Sequence, residues 1–321
     1  MTRILIEARG VTKHFPIHKK LFGKATKFVH AVDGVTFSVD EGETFGLVGE
    51  SGCGKTTLGR CLLRLVEPTS GEIIFDGTNI CLLKKHEIRE LRCKMQIVFQ
   101  DPYASLDPRM MIKDTLKEPL KINHVCKTSD MDKTILELIS IVGLNPDHLN
   151  RFPHEFSGGQ RQRIGIARAL TLKPRFIVLD EPTASLDVSV QAQILNLLQR
   201  LQKEIGLTYL FISHDFSVIE HMSNRIGVMY LGKLVELASR EEIFENPIHP
   251  YSKALLSVIP VADPHIKRNR ILLPGDPPSP VDLPKGCRFC ARCKEARSIC
   301  AESEPELVDF GKNHRAACHR G

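Results

Sequence analysis

Gly49 to Thr57, GESGCGKTT, brings together the residue types that can hold a polyphosphate, and fits the pattern GxxxxGK[ST]. Glycines let backbone N–H groups turn inward around phosphate oxygens, Lys55 reaches the terminal phosphates, and the Thr56 hydroxyl can ligate Mg²⁺. Gly49, Ser51, Gly52, Cys53, Gly54 and Thr57 supply the rest of the cradle. A second chemical pair, Asp180 and Glu181, closes the apolar run FIVL and is followed by Pro182. At the end of a buried parallel strand Asp180 can hold Mg²⁺ through water while Glu181 orients or deprotonates an attacking water. Without the phosphate loop the same pair is as well read as a solvated acidic turn. Between them lies FSGGQRQRIGIARAL, where Ser157 and Gln160 form an S-x-x-Q capping box and Gly158 and Gly159 permit close backbone approach. On the residues alone this is either a second anion-binding helix start or an ordinary cap. The last group is a thiol cluster: of ten cysteines, Cys287, Cys290, Cys293, Cys300 and Cys318 fall in the final 35 residues.

Each group needs an element to position it. Phe45 to Val48 reads as a strand running into the phosphate loop, and TTLGRCLLRLV keeps helical spacing through Leu58, Leu62, Leu63 and Val66. Upstream, LIEARGVTKHF and HAVDGVTFSVD, with Val35, Phe37 and Val39 alternating, predict a small antiparallel sheet. Residues from about 103 to 170 read as mainly helical, followed by the strand FIVLD, the helix VSVQAQILNLLQRLQKE and the strand TYLFIS. Strands alternating with helices imply an α/β fold with a mostly parallel sheet. Seven prolines between Pro260 and Gly286 mark a linker leading to the cysteine tail.

Composition bounds the class. The 321 residues suggest two domains, or one large domain with an appendage, and 42% hydrophobic with 26% charged residues is ordinary for a folded soluble chain. A net charge of +6 is too mild to imply nucleic acid. No run reaches the roughly 18 apolar residues of a membrane span, and the start has no signal-peptide core, so a cytoplasmic location is expected. There thiols stay reduced; the scattered Cys53, Cys61, Cys81, Cys93 and Cys126 are expected to pack as small hydrophobes.

These motifs resemble those of an ATP-binding cassette ATPase: GESGCGKT is similar to Walker A, FSGGQ to the signature, FIVLDEP to Walker B and ASLD to the D-loop, in the family's order over nearly the whole chain. The resemblance implies a P-loop fold with an antiparallel β subdomain, a RecA-like sheet, a helical subdomain at about 101–170 and a Cys-rich C-terminal extension. It places the nucleotide-binding domain at 1–250 and the extension at 251–321. It also implies ATP and Mg²⁺ as cofactors, with Gln100 as the Q-loop glutamine sensing Mg²⁺ and the membrane partner, and His214 of FISHD as the γ-phosphate switch. Phe15, or a residue of the adjacent HFPIHKKLFGK loop, would stack on adenine. In the family two subunits sandwich two ATP molecules, so Ser157, Gly159 and Gln160 of one chain, with Asp187 of its D-loop, would complete the site of the other.

Within that family ENPIHPYSKALLSVIP, GDPPSP and GCRFCARC resemble the C-terminal extension of di- and oligopeptide importer ATPases, and MQIVFQDPYASLDPR looks like the F-type member of their pair. The implied function is ATP hydrolysis driving peptide uptake, at the cytoplasmic membrane face, with a second ATPase subunit, two permease subunits and an extracytoplasmic solute-binding protein. Some relatives with this extension carry nickel or other small solutes. Cys287, Cys293, Cys300 and Cys318 match a family pattern that binds a [4Fe–4S] cluster in some members. Read locally, Cys287, Cys290 and Cys293 also make a ferredoxin-like CxxCxxC, zinc would accept four thiolates, and packed thiols are a third possibility. Cys290 and Lys294 depart from the family pattern. Lys55-dependent ATP binding is expected to survive loss of a tail ligand such as Cys300, because the phosphate site is built from other strands. Competing functions are a soluble cassette ATPase in DNA repair or translation, although the long insertions usual there are absent, and a redox-sensing module with a vestigial ATPase, at odds with the intact Lys55, Asp180, Glu181 and His214.

Overall fold

The computed structural model describes residues 3–17, 27–259 and 270–320. HKKLFGKAT beside Phe15, and the first part of the Pro-rich linker, Pro260 to Asn269, lie outside the described residues. The chain begins with β1 (Ile4–Pro16), β2 (Phe28–Asp40), β3 (Thr44–Val48), α1 (Lys55–Leu62), β4 (Ser70–Phe75) and β5 (Thr78–Asn79). There follow α2 (Lys85–Arg92), β6 (Met95–Val98), α3 (Ile112–Ile122), α4 (Met131–Ile141), α5 (Gly158–Leu170), β7 (Phe176–Asp180), α6 (Val188–Ile205) and β8 (Thr208–Ser213). The last elements are α7 (Phe216–Met222), β9 (Arg225–Tyr230), β10 (Lys233–Ser239), α8 (Arg240–Glu245), α9 (Pro250–Ser257), α10 (Ser298–Glu302), β11 (Val308–Asp309) and β12 (Arg315–Ala316).

Compactness divides the chain into two units, one of Met1–Leu5, Asp40–Glu43 and Leu82–Ile212, the other of Ile6–Val39, Thr44–Cys81 and Ser213–Gly321. The second carries the phosphate loop and the cysteine tail together. Its antiparallel sheet has the order β2-β1-β4-β5, with Ile6 opposite Phe75 and an irregularity in β1 between Arg9 and Thr12. As the alternation requires, Val35, Phe37 and Val39 of β2 are buried. Its other strands run in the order β11-β12-β10-β9-β3: β3 lies parallel to β9, and β9 turns antiparallel into β10 through Leu231 and Gly232, both at positive φ. Consecutive positive-φ residues suit a tight hairpin because that twist matches the strands. The tail then adds β12 beside β10, pairing Glu236 with Ala316 and Leu237 with Arg315.

In the other unit β8, β7 and β6 are neighbours and parallel, with Phe176 opposite both Met95 and Thr208. FIVLD and TYLFIS are buried along their whole lengths. A parallel strand is covered on both faces, so these sequences run apolar without alternating. Helices α3, α4 and α5 pack on one another in the expected helical region, and α6 coincides with VSVQAQILNLLQRLQKE plus one residue, ending at Gly206 in the left-handed region.

Candidate functional site

The phosphate loop follows β3 directly, and α1 begins at Lys55 after Gly54 at φ 110°. A Cβ on Gly54 would lie 2.0 Å from the Ala31 carbonyl oxygen, and one on Gly49 would lie 2.1 Å from that of Met229. The loop is therefore pressed against neighbouring backbone where no side chain fits. Lys55 is buried, and its Nζ donates to the carbonyls of Gly49 at 2.6 Å and Glu50 at 3.0 Å. Cys53 is buried, and burial pushes its thiol pKa up. Phe15 is 38% exposed near the end of β1, with the Lys13 ammonium 4.9 Å from its ring centre. His214 is exposed between β8 and α7, whose first turn Asp215 caps by accepting from the Ser217 N–H at 2.8 Å.

In the other unit Asp180 ends β7 and is 2% exposed. Glu181 has φ 46°, uncommon for a residue with a side chain, and its N–H donates to the Ile212 carbonyl at 3.0 Å. That backbone costs of order 1–3 kcal/mol and turns the chain sharply where Pro182 follows. Gln100 comes to the same place: its Nε2 donates to Glu181 Oε2 at 3.0 Å. The structure thus brings together two of the residues selected from sequence, 81 positions apart. Ser157 makes the expected reciprocal cap, its N–H donating to Gln160 Oε1 at 3.0 Å and its Oγ accepting from the Gln160 N–H at 3.3 Å. Gly159 has its own packing reason, since a Cβ there would lie 2.2 Å from Val190 of α6. Asp187 stands exposed at the start of α6, and the next residue, Val188, is 84% exposed.

The tail is tied to its unit by side chains that sequence reading did not single out. Phe289 is fully buried among Tyr230, Tyr251 and His249, with ring centres 5.3, 5.3 and 5.6 Å away. Glu236, also fully buried, accepts from the N–H groups of Ile248 and His249 at 2.7 and 3.0 Å and pairs with His314 Nε2 at 2.7 Å. Burial alone would raise its pKa, but the bond from His314 and the backbone donors carry it below the usual range. Arg288 pairs with Asp33 and donates to the Leu231 carbonyl. Asp33 also lies beside His14 and His30, whose facing ring nitrogens are 3.0 Å apart. Arg288 already neutralises the carboxylate of that group, which makes it a charge-balanced anchor for the tail.

All five tail cysteines line one small cavity. Burial, with Cys300, Cys290 and Cys293 close by, pushes the Cys287 thiol up to about 11. The tail also touches the phosphate loop directly. Arg292, two residues after Cys290, forms an ion pair with Glu50 of the loop at 2.9 Å, and the Glu50 N–H donates to Tyr251 Oη at 2.9 Å. The separation of 242 residues explains why no local pattern revealed the pair.

A family model described as ABC transporter matches residues 32–184, and one described as oligopeptide/dipeptide transporter, C-terminal region, matches 235–300. The oligopeptide transport ATP-binding protein AppF of Bacillus subtilis is 51% identical over 98% of this chain and 97% of its own length. The putative oligopeptide transport ATP-binding protein YkfD of the same organism is 54% identical over 98% of this chain and 95% of its own. Among solved structures, the dimeric ATP-binding cassette MJ0796, in a post-hydrolysis state bound to ADP and Pi, is 28% identical, with a TM-score of 0.65 over 74% of this chain and 99% of that one.

Proposed function

Because the chain belongs to the ABC transporter family, among the oligopeptide transport ATP-binding proteins, we propose that it binds and hydrolyses ATP to drive the import of di- and oligopeptides through a membrane permease. The observation that carries this reading is identity of about half the residues from end to end with such subunits, C-terminal region included. As such an ATP-binding subunit it acts peripherally on permease partners, and no described helix is long and apolar enough to cross a membrane.

In this reading Phe15 stacks on adenine, the loop N–H groups and Lys55 hold the phosphates, and Thr56 and Asp180 offer Mg²⁺ the hard oxygen ligands it prefers. Glu181 polarises the attacking water, and the Gln100 amide bonded to it couples that carboxylate to the segment that follows, where Tyr103 is 53% exposed. His214 meets the γ-phosphate. Ser157, Gly159 and Gln160 serve the nucleotide of a second ATPase subunit, with Asp187 at the same interface, and the 84% exposure of Val188 suits a surface that such a partner covers. A solute-binding protein delivers the peptide.

Cys287, Cys293, Cys300 and Cys318 are proposed to hold a [4Fe–4S] cluster. Their convergence on one cavity supports a shared metal group. A single zinc ion with Zn–S bonds of about 2.3 Å needs its sulfurs about 3.8 Å apart. The thiolates of a four-iron cluster stand farther apart, and metal analysis of the anaerobically purified chain decides between the two. When bound, the cluster supplies cross-links to a tail with little apolar core of its own.

Proteoliposomes holding the chain, its permease subunits and the solute-binding protein should accumulate a labelled oligopeptide only when ATP is present on the chain's side. Uptake that persists without ATP, or with Lys55→Ala in place of the native chain, would overturn the proposal.

A further inference from the structure

Glu50 occupies a phosphate-loop position that the pattern leaves open to any residue, yet all its polar groups are engaged. Its carbonyl accepts from Lys55 Nζ at 3.0 Å, and its N–H donates to the hydroxyl of fully buried Tyr251 at 2.9 Å. Both its carboxylate oxygens accept from one guanidinium nitrogen of Arg292, at 3.1 and 2.9 Å. The Arg292 side chain is 8% exposed, lies 6.0 Å from the Tyr230 ring centre and donates through Nε to the Pro274 carbonyl at 3.3 Å. It stands on the turn between Cys290 and Cys293. One residue of the loop is thus held from within by the phosphate-binding lysine and from outside by the tail. A largely buried ion pair adds little net stability compared with apolar packing, but losing one partner leaves the other charge uncompensated and free to pull its backbone elsewhere.

We infer that Arg292 is a positioning residue for the nucleotide site: through Glu50 it fixes the loop carbonyls that seat Lys55, so the tail sets the chain's affinity for ATP. The inference rests on reading Lys55 as the phosphate-binding lysine. A loop held in register favours bound ATP and the transition state alike, so loosening it raises KM while kcat stays nearly constant.

The test uses the full chain, with binding of a fluorescent ATP analogue, KM and kcat in the reconstituted transporter, and thermal melting as readouts. Arg292→Gln and Glu50→Gln should each weaken nucleotide binding roughly tenfold, and the double variant should be little worse than either, as expected of contacting residues. Arg292→Lys, which keeps the charge, should recover part of the loss. Unchanged affinity in Arg292→Gln with a lowered melting temperature would reduce Arg292 to an anchor of the tail and overturn the inference. If Arg292→Gln does not fold, Glu50→Gln decides the matter from the loop side, and native affinity there overturns it equally. Lys55→Ala separates the two readings: retained ATP binding would sink the nucleotide site itself, whereas its loss alongside native affinity in the Glu50 and Arg292 variants sinks this inference alone.

Discussion

In the phosphate loop the backbone makes the site, with Gly52 and Gly54 at φ 79° and 110° and Gly49 and Gly54 pressed against neighbouring carbonyls, whereas in the tail side chains do the holding. Phe289 fills an aromatic cage, Arg288 and Arg292 reach Asp33 and Glu50, and five thiols face one cavity. Backbone geometry of this kind rests first on glycine at fixed spacing. A scaffold of long-range charge pairs needs its partners in place first, which makes the tail the more conditional of the two regions. Where they meet, at Glu50, the conditional region can act on the rigid one.

The strongest way to sharpen this contrast is to remove chemistry without touching either scaffold. Glu181→Gln keeps the shape and the hydrogen bond to Gln100 but loses the charge that polarises water, so hydrolysis should fall roughly 10²- to 10⁴-fold while nucleotide binding and any bound iron are unchanged. Phosphate release and equilibrium binding on the same preparation check this. Near-native turnover would mean that the base lies elsewhere.

Gly54→Ala attacks the backbone-built region alone. The new Cβ meets the Ala31 carbonyl at 2.0 Å in a conformation that side chains disfavour, so ATP affinity should fall more than about tenfold. Iron and sulfide content should stay at the native level, and their loss would show that the two regions fold as one.

Cys300→Ser attacks the other region. Anaerobically purified native chain should carry about four irons, and the variant should be colourless with a protease-sensitive tail. Because Arg292 lies on the cysteine-bearing turn, the variant should also show a KM for ATP raised a few-fold, with kcat little changed. Cys290→Ser should keep the cluster if the ligands are Cys287, Cys293, Cys300 and Cys318. Stoichiometric zinc without iron would replace the cluster while keeping the four-thiolate site.

A pH effect acts on stability and not on turnover. His249 caps α9 through its ring nitrogen, 3.1 Å from the Tyr251 N–H, and burial lowers its pKa to about 4; Lys253 pushes the same way and Glu236 opposes. The unfolded chain takes up this proton near pH 6.5 and the folded chain only near 4. Stability from this group is therefore complete above pH 6.5 and declines as pH falls to 4, by up to about 3 kcal/mol. Glu236, whose pKa is also depressed, adds to the loss below pH 4.5. Denaturant melts of His249→Asn, which can still cap, should show a shallower decline between pH 6.5 and 4 than the native chain.

What the sequence made legible follows the same division. FIVLD and TYLFIS coincide with β7 and β8, and the Ser157–Gln160 cap was readable, because apolar runs and caps are local patterns. The helix after the loop was read to Val66 but ends at Leu62, where Arg64 at φ 48° breaks it; no glycine or proline warned of that. β5 and β6 carry too few residues to show a period, and β4, SGEIIF, is neither a continuous apolar run nor an alternating one. Glu50, Glu236, Tyr251 and Arg292 were invisible for a different reason: each matters through a partner far along the chain, and a lone charged or aromatic residue gives no sign of which partner it will meet.

The central claim, that this chain is the ATPase of a peptide importer, is tested most directly by phosphate release from the full chain in vesicles with and without its permease subunits. The account predicts weak release from the chain alone and a severalfold rise when permease and peptide-loaded binding protein are added, abolished by Lys55→Ala. Full turnover without a permease, or stimulation by DNA or ribosomes in its place, would contradict it.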